Sequence, residues 1–411
     1  MHRKIFAVPL FLSLLLSGCF SNNKFFDKYD FDFGATETPN YEVKDTKTIQ
    51  ESTYFKWHGR HYYDEERNVT FFNFSASGFE VSFIGTSIEG CFYSTRADDN
   101  KNRPYLAVSI DNDYDPDKAI PIQLTSGVHS NVTRKEGNYF VHDRVVLAQN
   151  LENKKHTIRV YKRSECLISK VGLKSVSTDG EIIEVDAKPL DYKLEFYGDS
   201  VTCGYAVESD NFYERFSSRT ENAMKTYANV AANILNADVS LISCGGYPMY
   251  QSKYSKDCSP DNIPAMFSLA DVEYHTKLTH QWDNSKYIPD VIVIALGAND
   301  GSILRGLTGQ DRVKFLNTYK QKYIDFISLI RNTYGEDKLV IVSDEILELG
   351  SEFNDAMDEV ASYFNSDKVI RAKYSAYEKA IDRTLPGEGH PNKEMQYLAG
   401  VELADLILKS M

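Results

Sequence analysis

With 411 residues, the chain is longer than one ordinary domain and is expected to fold as two. Its hydrophobic content of 42% and charged content of 26% are those of a globular protein, and argue against a fibrous or disordered class. A net charge of −13 repels phosphate backbones, so nucleic acid is not an expected partner.

The chain opens with MHRKIFAVPLFLSLLLSGC, a basic start, an apolar run and Leu16-Ser17-Gly18-Cys19. That layout predicts a secretion signal over residues 1–19. The apolar run is too short for a comfortable membrane span. Its last four residues resemble a bacterial lipobox, which implies lipidation at Cys19 and an exported lipoprotein of the cell envelope, on the periplasmic side or the surface. Lipid chains on one residue would then supply the membrane attachment. Five cysteines remain, Cys91, Cys166, Cys203, Cys244 and Cys258, an odd number that leaves at least one thiol without an internal mate. None falls at metal-ligand spacing, so no metal is expected.

Residues 20–50 are rich in Asn, Asp, Lys and Thr without a sustained apolar period, which predicts a tether. From 51 to 190 the pattern is of strands. NVTFFNFSASGFEVSFIGTSIEGCFYS alternates β-branched or aromatic residues with polar ones, and RPYLAVSIDND, VVLAQNL, KHTIRVYKR and EIIEVD continue it. Short strands with a turn about every ten residues predict an all-β sandwich or jelly roll.

Near Pro189 the texture changes. YKLEFYGDS, DVSLISCGG, PDVIVIALGAND and KLVIVSD read as buried strands. ENAMKTYANVAANILNAD, DRVKFLNTYKQKYIDFISLIRNTYG and NKEMQYLAGVELADLILKSM read as helices, the second ending at a glycine stop. Alternating strands and helices over 191–411 predict an α/β domain whose parallel sheet has helices on both faces.

In such a sheet functional groups gather beyond the carboxyl ends of the strands. Three predicted strands run there into Gly198-Asp199-Ser200, Cys244-Gly245-Gly246 and Gly297-Ala298-Asn299-Asp300, and GEGHPN, with His390, precedes the last helix. Together these form an acyl-transfer set. Ser200 is the candidate nucleophile and His390 the base that takes its proton. Backbone N–H groups of Ser200 and Gly246, with the Asn299 side-chain amide, are the candidate oxyanion donors. Asp199 reads as a turn-stabilising residue, because side chains at consecutive positions diverge. Trp282 and Tyr247 are candidate sugar-stacking residues. No metal or organic cofactor is needed for this chemistry.

The blocks GDSVTCGYA, Gly246, GAND and HPN resemble the SGNH (GDSL-type) hydrolase superfamily. With the strand-rich region in front, including FKWHGRHYYDEERNVTFFNFSASGFEVSFIGTSI, the chain looks like carbohydrate esterase family two, whose members carry a jelly roll followed by an SGNH domain. The resemblance implies removal of acetyl groups from the sugar hydroxyls of acetylated xylan, glucomannan or related glycans. SGNH members usually place an Asp three residues before the His, and here that position is Gly387. Either Glu388 orients His390, or a backbone carbonyl does and the pair works as a dyad. The alternatives to a carbohydrate acetylesterase are a lipase or thioesterase on the same scaffold, and a catalytically weak glycan-binding lipoprotein.

Overall fold

The computed structural model describes residues 40–411, apart from 97–98, 100, 112–113, 126–132, 136–138, 257–259, 273–278 and 348. The predicted leader, its Cys19 and residues 20–39 of the predicted tether lie outside the described residues, as does Cys258.

Period-two alternation in the first half produces two antiparallel sheets. One is built on Ile88–Thr95, Tyr139–Ala148 and Val171–Thr178, the other on Gly78–Gly85, Tyr105–Ile110 and Lys154–Lys162. Phe79, Val81 and Phe83 of the second sheet share one buried cluster with Phe92, Leu147 and Val176 of the first, so the sheets pack face to face. Asp45–Thr48 is a strand paired with Val171–Thr178, so the tether predicted to reach residue 50 ends earlier. Its side chains are polar because this strand is only partly covered.

Within Gly78–Gly85, Glu80 and Ser82 are polar and still buried, while Ile84 is exposed. Glu80 reaches the second half of the chain through one residue, within one compact unit. His58 joins the halves, with Nε2 2.8 Å from Glu80 and Nδ1 2.7 Å from Asp238. Arg60 is fully buried. It donates to the carbonyls of Met266, Phe267 and Leu269 at 3.0, 2.9 and 2.8 Å, and to Tyr197 Oη at 3.2 Å. A buried guanidinium is tolerated only when its N–H groups are met in this way.

The second half is a five-stranded parallel sheet, β1 (Tyr192–Gly198), β2 (Ala237–Ser243), β3 (Val291–Ala295), β4 (Leu339–Ser343) and β5 (Val369–Ala372), in the order 2-1-3-4-5. After β1 come α1 (Ser200–Cys203) and α2 (Tyr227–Ile234), after β3 comes α3 (Gly309–Tyr334), after β4 comes α4 (Ser351–Tyr363), and α5 (Lys393–Ser410) closes the chain. Alternate strand residues bury to opposite sides. Ile292, Ile294, Val340 and Val342 pack with α3 and α4, while Leu194, Phe196, Val293 and Ile341 pack with α2 and α5. The helix predicted over 221–238 is shorter. Asn222 caps a separate turn at Ala223–Lys225, and Asn236, at φ 50°, ends α2 before β2 begins. With β1 flanked by β2 on one side and β3 on the other, the chain reverses direction across the sheet at β1, the switch point where open α/β sheets place ligands.

Candidate active site

The register sets the rim of the sheet. Gly198 is level with Ser243 on β2 and Ala295 on β3, and Ala295 is level with Ser343 on β4. Ser200, Gly246, Asn299 and Glu345 all lie just beyond that line.

Asp199 caps α1, its Oδ1 accepting the Val201 N–H at 3.0 Å, so Ser200 begins the helix with its hydroxyl at the rim. Ser200 Oγ lies 2.8 Å from His390 Nε2. The opposite ring nitrogen, Nδ1, lies 2.6 Å from the Gly387 carbonyl oxygen. A carbonyl only accepts, so Nδ1 carries the hydrogen and Nε2 offers its lone pair to the serine hydroxyl. The carbonyl is aimed by a left-handed stretch, Gly387 at φ 54° and Glu388 at φ 62°. Glu388 is exposed and its N–H donates to the Phe212 carbonyl. It is therefore not the orienting group: the backbone already occupies Nδ1. The His390 ring stacks on Tyr205 at a centroid distance of 4.3 Å, and burial lowers its pKa below the usual 6.5.

Beyond β2, Gly246 adopts φ 80°, the left-handed region that suits glycine, and a Cβ there would stand 3.2 Å from Tyr254 Cβ. Among the described residues, the Ser200 and Gly246 amides donate to no other protein group. Asn299 Nδ2 donates to Asp199 Oδ2 at 2.5 Å and to the Tyr247 carbonyl at 3.3 Å. Asp199 thus fixes both the helix that carries Ser200 and the amide of Asn299. Its carboxyl is pushed up to about 6, chiefly by burial. Beside it Glu345, whose Oε1 accepts the Ala298 N–H at 2.8 Å, is held protonated well above the ordinary range, by burial and then by the Asp199 charge. Asp300 is structural: its carboxyl accepts the N–H groups of Met249, Tyr250 and Gln251 at 2.9, 2.9 and 3.0 Å.

The two candidate stacking residues are elsewhere. Tyr247 is buried in the core against α3 and α4, and Trp282 is buried beside Ala270 and Tyr287. An aromatic ring in a sequence reads equally as core filler or as platform, and burial decided for the core. The exposed rings near the site are Tyr254, beside Gly246, and Phe212 and Tyr213, next to the segment that carries Glu388. The sequence reading also missed Glu345, which carries no motif and reaches the site only through the fold, and assigned no role to Tyr205, although it lies within the GDSVTCGYA block.

No family model matches the chain. It is 31% identical over 195 residues to the cellulase/esterase CelE of Acetivibrio thermocellus, a match covering 47% of this chain and 22% of CelE. It is 27% identical over 264 residues to an acetylxylan esterase / glucomannan deacetylase of Cellvibrio japonicus, covering 62% of this chain and 67% of that enzyme. The structure of a family two carbohydrate esterase from Clostridium thermocellum, solved with cellohexaose, superposes with a TM-score of 0.70 at 22% identity, over 87% of this chain and 100% of that one. The chain has the fold of the family two carbohydrate esterases. The matched region thus spans about a fifth of CelE and two thirds of the Cellvibrio enzyme.

Proposed function

We propose that this chain is a carbohydrate O-acetylesterase working through a Ser200–His390 dyad. The observation that carries the reading is the 2.8 Å contact between Ser200 Oγ and His390 Nε2, with the far ring nitrogen fixed by a carbonyl. As His390 takes its proton, Ser200 adds to the acetyl carbonyl carbon. The negative charge that forms on the carbonyl oxygen is met by the N–H groups of Ser200 and Gly246. The Asn299 hydrogen held loosely by the Tyr247 carbonyl, at 3.3 Å, turns to the charged oxygen as the stronger acceptor. His390 then protonates the departing sugar oxygen, leaving an acetyl-enzyme. A water molecule, deprotonated by the same ring, attacks it and releases acetate.

The substrate class rests on the relatives. One is named for acetylxylan and glucomannan, and the family two structure holds a cello-oligosaccharide. Tyr254, exposed beside Gly246, and Tyr213, exposed next to the Phe212 carbonyl that accepts the Glu388 N–H, are the rings suited to stack on such a chain. We further read residues 1–19 as an export signal with lipidation at Cys19, which would hold the catalytic module at the cell envelope, on the periplasmic side or the surface, and 51–190 as a jelly-roll domain preceding the catalytic domain at 191–411.

The test is acetate release from a panel of acetylated xylans, glucomannans and other glycans, with Ser200→Ala as control, alongside p-nitrophenyl esters of increasing acyl length. Acetate release abolished by Ser200→Ala is expected. A preference for long acyl chains would favour a lipase or thioesterase, and binding without turnover would favour a glycan-binding protein.

A further inference from the structure

A Gly-Gly pair has the freest backbone available, yet an oxyanion donor must be held still before charge develops. Gly245-Gly246 is such a pair. What holds it comes from the sandwich half of the chain. Glu165, in the connection between Lys154–Lys162 and Val171–Thr178, is buried, and its Oε2 accepts the Gly245 N–H at 2.6 Å. Its Oε1 lies 3.0 Å from the point a Cβ on Gly245 would occupy, so the carboxylate also fills the space a side chain would need there. Glu165 is itself clamped. Its own N–H donates to Glu221 Oε2 at 2.9 Å, and the buried Lys162 ammonium donates to the carbonyls of Ser164 and Glu165, both at 2.7 Å. The next residue docks on the same segment, with Cys166 Sγ 2.8 Å from Cys244 Sγ.

We propose that Glu165, carried by the β-sandwich, is a positioning residue for the oxyanion donor at Gly246. The inference rests on the esterase reading above. The carboxylate fixes the plane of the Cys244–Gly245 peptide. Only the two dihedrals of Gly245 then separate that plane from the peptide whose N–H faces the substrate. The sandwich therefore completes the catalytic rim instead of merely preceding it.

The test compares full-length Glu165→Ala and Glu165→Gln with the wild type. Gln keeps an acceptor oxygen at the same reach, and Ala does not. With an acetyl ester, Ala is expected to lower kcat about 10- to 100-fold, below the roughly 10²–10³-fold seen when an oxyanion donor is deleted outright, with KM within about 2-fold. Gln is expected to recover most of the loss. Amide hydrogen exchange over 244–247 reads the same tie without turnover, and should quicken at least about 10-fold in Ala and stay near wild type in Gln. Unchanged exchange in Ala overturns the proposal, as does a Gln variant as impaired as Ala. A wild type inactive on every ester, with exchange behaving as expected, would overturn the esterase reading and leave Glu165 as the tie that holds the loop.

Discussion

The carbonyl oxygen of Gly387 stands 2.6 Å from Nδ1 of His390, where an SGNH enzyme with a triad would present a carboxylate. The substitution is imposed by packing. A Cβ on Gly387 would fall 2.4 Å from Ala206 Cβ and 2.8 Å from the Tyr205 ring. Gly387→Asp, which writes the usual triad residue into the sequence, should therefore fail to build a triad. Strain at φ 54° and the clash are expected to cost about 1–3 kcal/mol of stability and at least about 10-fold in kcat/KM. Thermal unfolding and ester kinetics check this, and a faster variant would show that a carboxylate can be seated.

A second expectation concerns pH. Burial holds His390 below the ordinary 6.5, and it acts as a base only when neutral. The rate kcat/KM should stay level as pH falls through 6.5 and drop only below it. The same sign applies to stability: the unfolded chain takes up the proton more readily, so the contribution of His390 is present above 6.5 and lost as pH falls through the folded value. Tyr205→Ala opens the ring to water and should move the acidic limb of the profile upward. A profile in the variant superimposable on the wild type would contradict this.

Glu345 keeps its proton in the fold, so its contribution to stability is full below the ordinary carboxyl pKa and fades as pH rises. Glu345→Gln retains an oxygen for the Ala298 N–H and an N–H for Asp199. It is expected to keep activity within about 3-fold and to gain roughly 1–3 kcal/mol over the wild type near pH 8, with little difference near pH 4. Denaturant titrations at both pH values measure the difference. Glu345→Leu should lose activity, because Asn299 is held through Asp199.

Arg60 plugs the sandwich into the α/β half. Arg60→Ala leaves the carbonyls of Met266, Phe267 and Leu269, and the Glu195 carboxylate, without their cation, and is expected to cost about 3–5 kcal/mol. Chemical denaturation followed by fluorescence checks the value. A loss under 1 kcal/mol would mean that the halves hold together without this residue.

Tyr254→Ala should raise KM for acetylated polymer about 3- to 10-fold and for small aryl acetates by less, since a sugar ring stacked on the exposed ring beside Gly246 adds contact that a small leaving group does not make. Equal effects on both substrates would place the ring in the acetyl pocket.

The sequence alone determined the strand-and-helix alternation after Pro189, the strand-rich half before it, and the rim positions of Ser200, Gly246, Asn299 and His390. These are local properties. Hydrophobic period decides the element, and small residues where a strand ends mark its open edge. The segment 351–372 shows the limit: α4 carries Phe353, Ala356, Met357 and Val360 at helical spacing, yet neither it nor the short β5 bears a motif that draws the eye. Contacts between distant segments were decided only in three dimensions. Whether Glu388 or a backbone carbonyl orients His390 turned on two left-handed residues. Whether Trp282 and Tyr247 face sugar or core turned on burial. Glu165 and Glu345 stand as unremarkable charges in the sequence, and Arg60 only as half of the Gly-Arg pair in the block that carries the resemblance, because the meaning of all three comes from being enclosed with a partner that lies far away along the chain.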